Sequence, residues 1–482
     1  MTSIQRWTLA AVCAATAVLM LDIAVVNTAL STIAVDLDTD LTGLQWVVDA
    51  YTLALATVVL SAGSLADRLG RRRLFLGGLT LFTVSSVACA AAPSIEVLIG
   101  ARAVQGVGAA VMFAVSLALL AQAFPGVTER GKALAAYGAT IGASFAVGPL
   151  VGGALTTGLG WRWVFLINVP IGLACVAVAV TKVRESRDPN ARRLDVPGQI
   201  TLAAGLFLLV FGLLRGNEEG WGSTMIVGLL VSAVVLLVAF VIVELQSLRP
   251  MVPMRLFRTP AFAGAQVAAF AISASFFAVF LYTTLYLQQV LGLSAVEAGL
   301  VYLPGTFVNF AAAGATAQLT RVPRGVLVSV GLALVALGMW MLTGVEVGSA
   351  WTAVLPGSIV AMLGTGIFNP AVSAVALDVP EHQSGLAAGI NDTARQAGIA
   401  VGVAALGALI PAGAGLGAAD PAGFVAGLQD ALLVGAAVAA VGAVAAAVLI
   451  RSPRRAAVGA PAAAAAATTA AEPATARSGS RP

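Results

Sequence analysis

The chain has 482 residues, of which 59% are hydrophobic and only 10% are charged, whereas soluble domains carry about 25% charged residues. A soluble fold of this size would expose apolar surface to water, so these proportions exclude a soluble enzyme and indicate a protein embedded in a bilayer. The net charge of +4 comes from cations in short clusters between apolar runs, a distribution typical of membrane orientation and not of nucleic-acid binding.

Apolar runs long enough to cross a membrane follow one another along the chain. A spanning helix needs about 20 apolar residues because the hydrocarbon core is about 30 Å thick. The runs lie near 8–30, 44–64, 74–92, 97–122, 133–157, 163–182, 197–214, 224–244, 261–287, 299–319, 325–343, 351–373, 386–410 and 427–450. Helices are the only open structure that satisfies every backbone group in lipid. The sequence therefore predicts an all-α integral membrane protein with fourteen transmembrane helices.

The loop charges alternate with these spans. If the N-terminus is cytoplasmic, the cations fall in inside loops, at positions 68–73, 130–132, 182–193, 249–258, 321–324 and 451–455. The outside loops hold mainly acids, at positions 36–40, 96, 218–219, 297, 346 and 420, with Arg162 and Arg215 as exceptions. An odd number of spans upstream would scramble this alternation, so both termini are predicted to be cytoplasmic. The first run lacks a small-residue cleavage site and predicts a retained span, not a signal peptide.

A weak internal repeat relates residues 125–138 to residues 380–389, each of which links two predicted spans. Duplicated halves around a central substrate path are common in secondary transporters. The last residues are rich in Ala, Pro, Thr and Ser, have no apolar face and predict disorder. We therefore predict a six-helix bundle over 8–182, two linker transmembrane helices over 183–250, a second six-helix bundle over 251–455 and a disordered cytoplasmic tail over 456–482.

Two opposite charges lie inside the first and fourth spans. Counting about 1.5 Å per residue, Asp22 comes about 12 Å and Arg102 about 10 Å below the outer end, so both groups are expected at similar depth. Intramembrane charges usually face a partner or a cavity. A carboxylate that alternates between a proton and a cationic drug is the simplest exchanger, and we predict that Asp22 and Arg102 carry proton coupling. The alternatives are a structural Asp22–Arg102 pair that never titrates and an Arg102 that snorkels to the interface.

A loop with a glycine–acid–arginine spacing follows the second span. Asp67 is expected to pair with an arginine or with a helix N-terminus, and the turn needs a glycine backbone. Such a charge latch can make and break as two bundles rock, and the alternative is a basic anchor for lipid head groups. The predicted gating residues are Gly63, Asp67, Arg68, Gly70, Arg71 and Arg72.

Glycines recur along the fifth span, which also contains a proline. Four-residue glycine spacing lets helices pack backbone to backbone, and a proline inside a helix bends it. Ordinary tight packing is the alternative to a transport role. The residues concerned are Gly138, Gly142, Gly148, Pro149, Gly152 and Gly153.

These motifs resemble those of the major facilitator superfamily. The loop at 63–73 has the form of its loop signature, and the fifth span is similar to its antiporter signature, with Ser144 in place of the first glycine before Gly148. Together with Trp46, Asp49, Tyr51 and residues 161–170, roughly residues 10–450 resemble the fourteen-span drug:proton antiporter family. The loop at 314–324 has no acid matching Asp67. The resemblance implies proton-driven efflux of amphipathic, often cationic, drugs or antibiotics.

Other polar or aromatic residues inside the spans are candidates for the substrate path, since aromatic faces suit cationic organic ligands. For each residue alone, an interhelical hydrogen bond or an interface position is the competing interpretation. Asp49 is either a second titrating acid or an entrance charge, and Asp392 and Arg395 are expected to form a local pair. The predicted path residues are Asn27, Trp46, Asp49, Tyr51, Gln105, Tyr286, Asn309 and Asn369.

The sequence therefore predicts a proton-coupled multidrug or antibiotic exporter of the bacterial inner membrane. It contains no nucleotide-binding P-loop, so an ion gradient must supply the energy. We expect no enzymatic activity, cofactor, metal or nucleic-acid partner. The expected partners are a hydrophobic or cationic small molecule, protons and the lipid bilayer, and the expected state is a monomer.

Three other functions compete with drug export. They are a dedicated exporter of one endogenous metabolite, such as a self-made antibiotic or siderophore, a non-transporting membrane sensor, and solute–proton uptake. The glycine–proline helix argues against uptake, and the tail carries no recognisable signalling module.

Overall fold

The computed structural model describes residues 1–187, 194–248, 250–319, 321–380, 383–411, 414, 416 and 419–451. The predicted tail, 456–482, lies outside the described residues, and so do the predicted inside cations at positions 192, 193, 249, 454 and 455.

Regular structure in these ranges is helical, and they contain no strand. A short 3₁₀ turn, Met254–Arg258, precedes the ninth helix. The long helices are α1 (Ser3–Asp36), α2 (Leu41–Leu69), α3 (Arg71–Ala90), α4 (Ile95–Ala123), α5 (Val127–Leu159), α6 (Trp163–Lys182), α7 (Val196–Glu219), α8 (Thr224–Gln246), α9 (Pro260–Val290), α10 (Ala295–Gln318), α11 (Arg324–Leu342), α12 (Trp351–Ala376), α13 (Ser384–Gly407) and α14 (Pro421–Leu449).

Twelve of the described helices are long and apolar enough to cross a membrane, and the bent α5 makes thirteen if it is one span. Helix α13 has polar residues along its length, among them Asp392 and Arg395, and is not among the twelve. The prediction of an all-α, multi-pass membrane protein is confirmed. The number fourteen, the cytoplasmic termini and the limits of the two bundles stay predictions.

The junctions between helices show how loop residues set the helix ends. Gly70 alone separates α2 from α3 and has a φ of 108°, a left-handed conformation that glycine adopts without strain. At the opposite end of these helices, Asp40 caps α2 by accepting a hydrogen bond from the Gly43 amide at 2.9 Å. We call the end of the helices at residues 69–71 the basic end and the end at residues 37–40 the acidic end.

The helices form two groups that meet along a central interface. In the first group α1 packs against α5, and α4 packs against α2 and α3, while in the second α12 packs against α10 and α11. Helices α7 and α8 pack against each other, and α7 also contacts α2 and α13. The central interface is formed by α2 against α13 and α5 against α10.

At the acidic end, hydrogen bonds also join the first helix group to α9, which packs against α12, α13 and α14. Gln45 of α2 donates to the Tyr282 hydroxyl of α9 at 2.7 Å, and Gln288 of α9 donates to the Thr28 carbonyl of α1 at 3.1 Å. Tyr282 lies between two π-helical turns of α9, Ser273–Phe277 and Tyr286–Val290. Such turns in a helix often accompany functional sites.

Candidate functional site

Asp22 and Arg102 meet in the middle of the first helix group. The Arg102 Nη1 donates to Asp22 Oδ2 at 2.6 Å, and the two side chains are 2% and 0% exposed. The other carboxylate oxygen, Oδ1, accepts hydrogen bonds from Gln105 Nε2 at 3.0 Å and from Asn168 Nδ2 at 2.8 Å. The structure thus places the two charges at one depth and gives both Asp22 oxygens a donor.

Arg102 is satisfied on its other side as well. Its Nε donates to the Val47 carbonyl at 3.1 Å, and Nη1 also donates to Gln105 Oε1 at 2.7 Å. The guanidinium lies 4.1 Å from the ring centre of Tyr51 and 5.8 Å from that of Phe165. A buried ion pair needs such additional partners to offset the cost of desolvation. Arg102 therefore does not snorkel, and in this conformation the cluster has the form of a structural ion pair.

Two members of this cluster were not assigned a role from the sequence. Asn168 of α6 donates to Asp22, and Ser86 of α3 accepts from Gln105 Nε2 at 2.9 Å. Asn168 is a polar residue in an apolar run, which is the signal that also pointed to Asn27. A serine in a spanning helix gives no comparable signal, since it commonly bonds to its own helix.

Asp49 of α2 has the opposite surroundings. Its side chain is fully buried, and neither Oδ1 nor Oδ2 has a hydrogen-bond partner among the described residues. It lies one turn along α2 from Gln45, on the helix face that meets α9. An ionised carboxylate costs several kcal/mol in such a place, and a bound proton or a cation removes that cost. Asp49 is therefore a buried acid in this conformation, and its role as a second titrating acid or as an entrance charge stays a prediction.

The predicted gating loop holds its acid within the loop itself. Asp67 Oδ1 accepts from Arg71 at 2.8 Å from Nη2 and 3.0 Å from Nε. Arg68 is exposed, and a side chain at Gly63 would meet open space. The predicted pairing of Asp67 with an arginine is present, but no contact of Asp67 with the second helix group is found in the described part of the chain.

A different acid occupies the N-terminus of α3. Glu185, three residues after α6, accepts hydrogen bonds from the amides of Arg72 and Arg73 at 3.0 and 3.1 Å. A Cβ on Gly70 would lie 2.7 Å from Glu185 Oε1, so glycine is required there for close approach as well as for its φ. Glu185 was missed because it stands among arginines in the sequence, where an acid is expected to pair with a side chain and not with a helix end.

Helix α5 divides its glycines between two environments. A Cβ on Gly148 would lie 2.3 Å from Ala24 of α1, and a Cβ on Gly153 would lie 2.5 Å from the Ala295 carbonyl of α10. Gly138 and Gly142, nearer the basic end, have nothing within 4 Å of such a position. The glycines near the acidic end therefore allow tight contacts that those near the basic end do not make.

A bend separates these two parts of α5. The segments Thr128–Ser144 and Val147–Leu159 meet at 42°. Pro149 follows the bend, and the proline ring clashes with the carbonyl four residues earlier. On the acidic side of the bend, a Cβ added to Gly152 would lie 2.7 Å from the backbone of Val25 in α1.

The remaining path candidates make local or interhelical contacts. Trp46 stacks obliquely with Phe207 and Phe211 of α7, with ring centres 5.9 and 6.0 Å apart. The others form hydrogen bonds to carbonyls or side chains nearby. Asn27 donates to the Ile23 carbonyl, Tyr286 to the Glu346 carbonyl, and Asn309 to the Met362 carbonyl and to Thr365, while Asn369 accepts from Arg395.

The expected local pair of Asp392 and Arg395 stays a prediction: the two charges lie close enough to interact, but no hydrogen bond or ion pair joins them among the described residues. Arg395 Nη1 instead donates to Asn369 Oδ1 at 3.0 Å, and its guanidinium lies 5.8 Å from the ring centre of Phe277. Asp392 Oδ2 is buried without a hydrogen-bond partner in the described residues. The two side chains lie one turn apart on α13, and Arg395 also contacts the neighbouring helices α12 and α9.

Comparison with known proteins agrees with the motifs and the fold. The family model described as Major Facilitator Superfamily matches residues 12–403. The chain is 36% identical over 401 residues to Multidrug resistance protein Stp of Mycobacterium tuberculosis, covering 82% of this chain and 74% of that protein. It is 37% identical over 407 residues to Puromycin resistance protein pur8 of Streptomyces alboniger, covering 83% and 80%.

The fold also resembles that of a solved transporter. A crystal structure of a POT family transporter in complex with a thioalcohol-conjugated peptide aligns with a TM-score of 0.66 over 90% of this chain and 94% of that chain. At 14% sequence identity the likeness concerns the fold alone.

Proposed function

The chain belongs to the major facilitator superfamily, and on that premise we propose that it exports amphipathic, hydrophobic or cationic drugs or antibiotics across the bacterial inner membrane in exchange for protons. The relatives described above are named for resistance to multiple drugs and to puromycin, which supports drug or antibiotic export. Transporters of this superfamily are not enzymes, and we assign no chemical reaction to the chain.

The burial of Asp49 is the observation that carries the proton-coupled part of the proposal. It is fully buried at the contact of α2 with α9, and both of its oxygens lack partners in the described residues. A proton bound there neutralises a charge that none of the described residues compensates. Because the acidic end is closed next to Asp49 by the Gln45–Tyr282 hydrogen bond, opening that end would admit water and allow the proton to exchange.

Asp22 and Arg102 are proposed as a second element of proton coupling. Protonation of Asp22 would remove the charge that Arg102 contacts at 2.6 Å, so it would require rearrangement of α1 against α4. The alternative of a permanent structural pair is supported by the complete set of donors around Asp22. The two interpretations differ in whether Asp22 ever binds a proton.

Alternating access is proposed to use α5 and the loop at 63–73. The close approach of Gly153 to α10 holds the two helix groups together at the acidic end. The bend near Pro149 lets the part of α5 at the basic end turn away from α10. The Asp67–Arg71 pair is partly exposed and is proposed to exchange its partner as the helix groups rock.

A proteoliposome experiment tests the proposal. The purified chain would be reconstituted with a trapped pH indicator, and a panel of cationic dyes and antibiotics would be added under an imposed pH gradient. We expect substrate-dependent proton movement that stops when the gradient is collapsed and does not need sodium. Substrate transport that continues unchanged without the gradient contradicts proton coupling.

A dedicated exporter of one antibiotic is the second candidate, because the relative from Streptomyces is named for resistance to a single compound, puromycin. Growth protection of efflux-deficient bacteria against the same panel separates the two. Protection against several unrelated compounds supports a multidrug pump, and protection against one compound supports the narrow exporter.

A further inference from the structure

A cavity of about 660 Å³ opens at the basic end, outside the site described above. It lies between the start of α1, the start of α3, the end of α6 and the segment that follows α6. Its lining includes the cations Arg72, Lys182 and Arg184 and one acid, Glu185. Cavities of this size accommodate small organic ligands, so the composition of the wall decides which ligand fits.

The acid in the wall is already engaged. Glu185 Oε1 accepts from the amides of Arg72 and Ser186 at 3.0 and 2.9 Å, and Oε2 accepts from the Arg73 amide at 3.1 Å. The positive end of the α3 helix dipole therefore compensates this carboxylate. The wall holds three cations against this one acid, so its net charge is positive.

Those cations retain unused donors. Arg72 Nη2 donates to the Val180 carbonyl at 2.5 Å, while its buried Nε has no hydrogen-bond partner among the described residues. Lys182 and Arg184 form no hydrogen bond or ion pair with any described residue. The start of α1 adds backbone donors, because Thr2 caps the Gln5 amide and leaves those of Ser3 and Ile4 free within the described chain. Three cations and a helix N-terminus are a combination that attracts phosphate groups.

We infer that this cavity binds a phosphate-bearing anion, and that its source is the head group of an anionic phospholipid. The position of the cavity at the rim of the first helix group favours lipid over soluble phosphate. Val180 lines the cavity, and Leu173 lies two turns away on the same face of α6; both are exposed, at 47% and 59%. This apolar strip leads from the cations toward the predicted membrane interior, where an acyl chain would lie. Basic pockets between transmembrane helices bind anionic head groups in this way.

Native mass spectrometry of the full chain tests the inference. Detergent-solubilised protein would be titrated with phosphatidylglycerol, with phosphatidylcholine and with inorganic phosphate. The variant is Lys182→Gln with Arg184→Gln, and its matched control is Lys132→Gln with Arg187→Gln, which removes two exposed cations elsewhere at the basic end. Thermal unfolding without lipid checks that both variants are folded.

We expect phosphatidylglycerol to bind in preference to phosphatidylcholine. The Lys182/Arg184 variant should lose roughly 25-fold in affinity, since each cation near a lipid surface contributes about a factor of five, while the control should bind like the wild type. Competition by inorganic phosphate with the same dependence on the variant would support the phosphate site but assign it to a soluble anion. Equal phosphatidylglycerol affinity in the wild type and the Lys182/Arg184 variant, or an equal loss in both double variants, overturns the inference.

Discussion

Asp22 and Asp49 lie on neighbouring helices and are both fully buried, but their surroundings are opposite. Asp22 receives three hydrogen bonds, one of them from Arg102, whereas Asp49 receives none from the described residues. A buried ion pair with all its partners stabilises a charge, while an unpaired buried carboxyl makes that charge costly. From this comparison we propose that Asp22, with its arginine partner, supports the structure, and that Asp49 is better suited to bind and release a proton.

The largest effect is expected from Asp22→Asn. This change leaves Arg102 buried without a counter-charge, and removal of one member of a buried pair costs about 3–5 kcal/mol. The protein should still insert, but its thermal unfolding, followed by tryptophan fluorescence, should occur at a much lower temperature, and efflux should be lost.

The double variant Asp22→Asn with Arg102→Gln is the control for this prediction. It removes both charges and should recover most of the stability, because replacing a whole buried pair is often neutral. Unfolding of Asp22→Asn at the wild-type temperature would contradict the structural role of the pair.

Asp49→Asn should separate transport from stability. Since Asp49 has no hydrogen bond to lose in the part of the chain that the structure describes, the free energy of unfolding should stay within about 1 kcal/mol of the wild-type value. Dye efflux from everted vesicles under a pH gradient should fall at least about tenfold, because an asparagine side chain cannot bind the proton that neutralises Asp49. Leaving a carboxylate charged inside the membrane costs about 2.5–3.5 kcal/mol on insertion scales.

Asp38→Asn, a change of an exposed acid at the same end of the helices, is the matched control and should leave efflux unchanged. If Asp49→Asn keeps wild-type coupling while Asp22→Asn stays folded and loses it, the roles assigned to the two acids are reversed.

A smaller effect is expected where the two helix groups touch. In Gly153→Ala the new methyl group would meet the α10 backbone, and overpacking of this kind costs about 1–3 kcal/mol. Closure at the acidic end should be weakened, so the amides of residues 295–301 should exchange hydrogen faster and efflux should slow. Gly138→Ala, on the same helix but facing open space, should change neither quantity.

The smallest effect on stability is expected from Arg71→Gln. This change breaks the Asp67–Arg71 ion pair, which has the same chemistry as the Asp22–Arg102 pair but is partly exposed. Exposed pairs of this kind contribute about 0.3–0.5 kcal/mol to stability. If the loop is a latch, the efflux rate should fall much further than this stability change accounts for. Efflux at the wild-type rate would assign the loop to membrane anchoring instead.

Much of the architecture and part of the site were predictable from the sequence. Long apolar runs have few ways to satisfy their backbone in lipid, so the run boundaries indicated the helices. Asp22 and Arg102 were matched in depth because a helix rises by a fixed distance per residue. Gly70 was indicated as a turn because few residues adopt its backbone conformation.

The partners of polar side chains were decided by tertiary structure alone. Whether Asp49 meets a donor, whether Trp46 faces a central path or α7, and whether Arg395 reaches Asn369 depend on how each helix is rotated against its neighbours. In a membrane the apolar faces of helices have no water to avoid, so hydrophobic periodicity does not report that rotation, and small residues and hydrogen bonds between helices set it. For the same physical reason Ser86, Asn168 and Glu185 became visible as site or junction residues only when their helices were packed together.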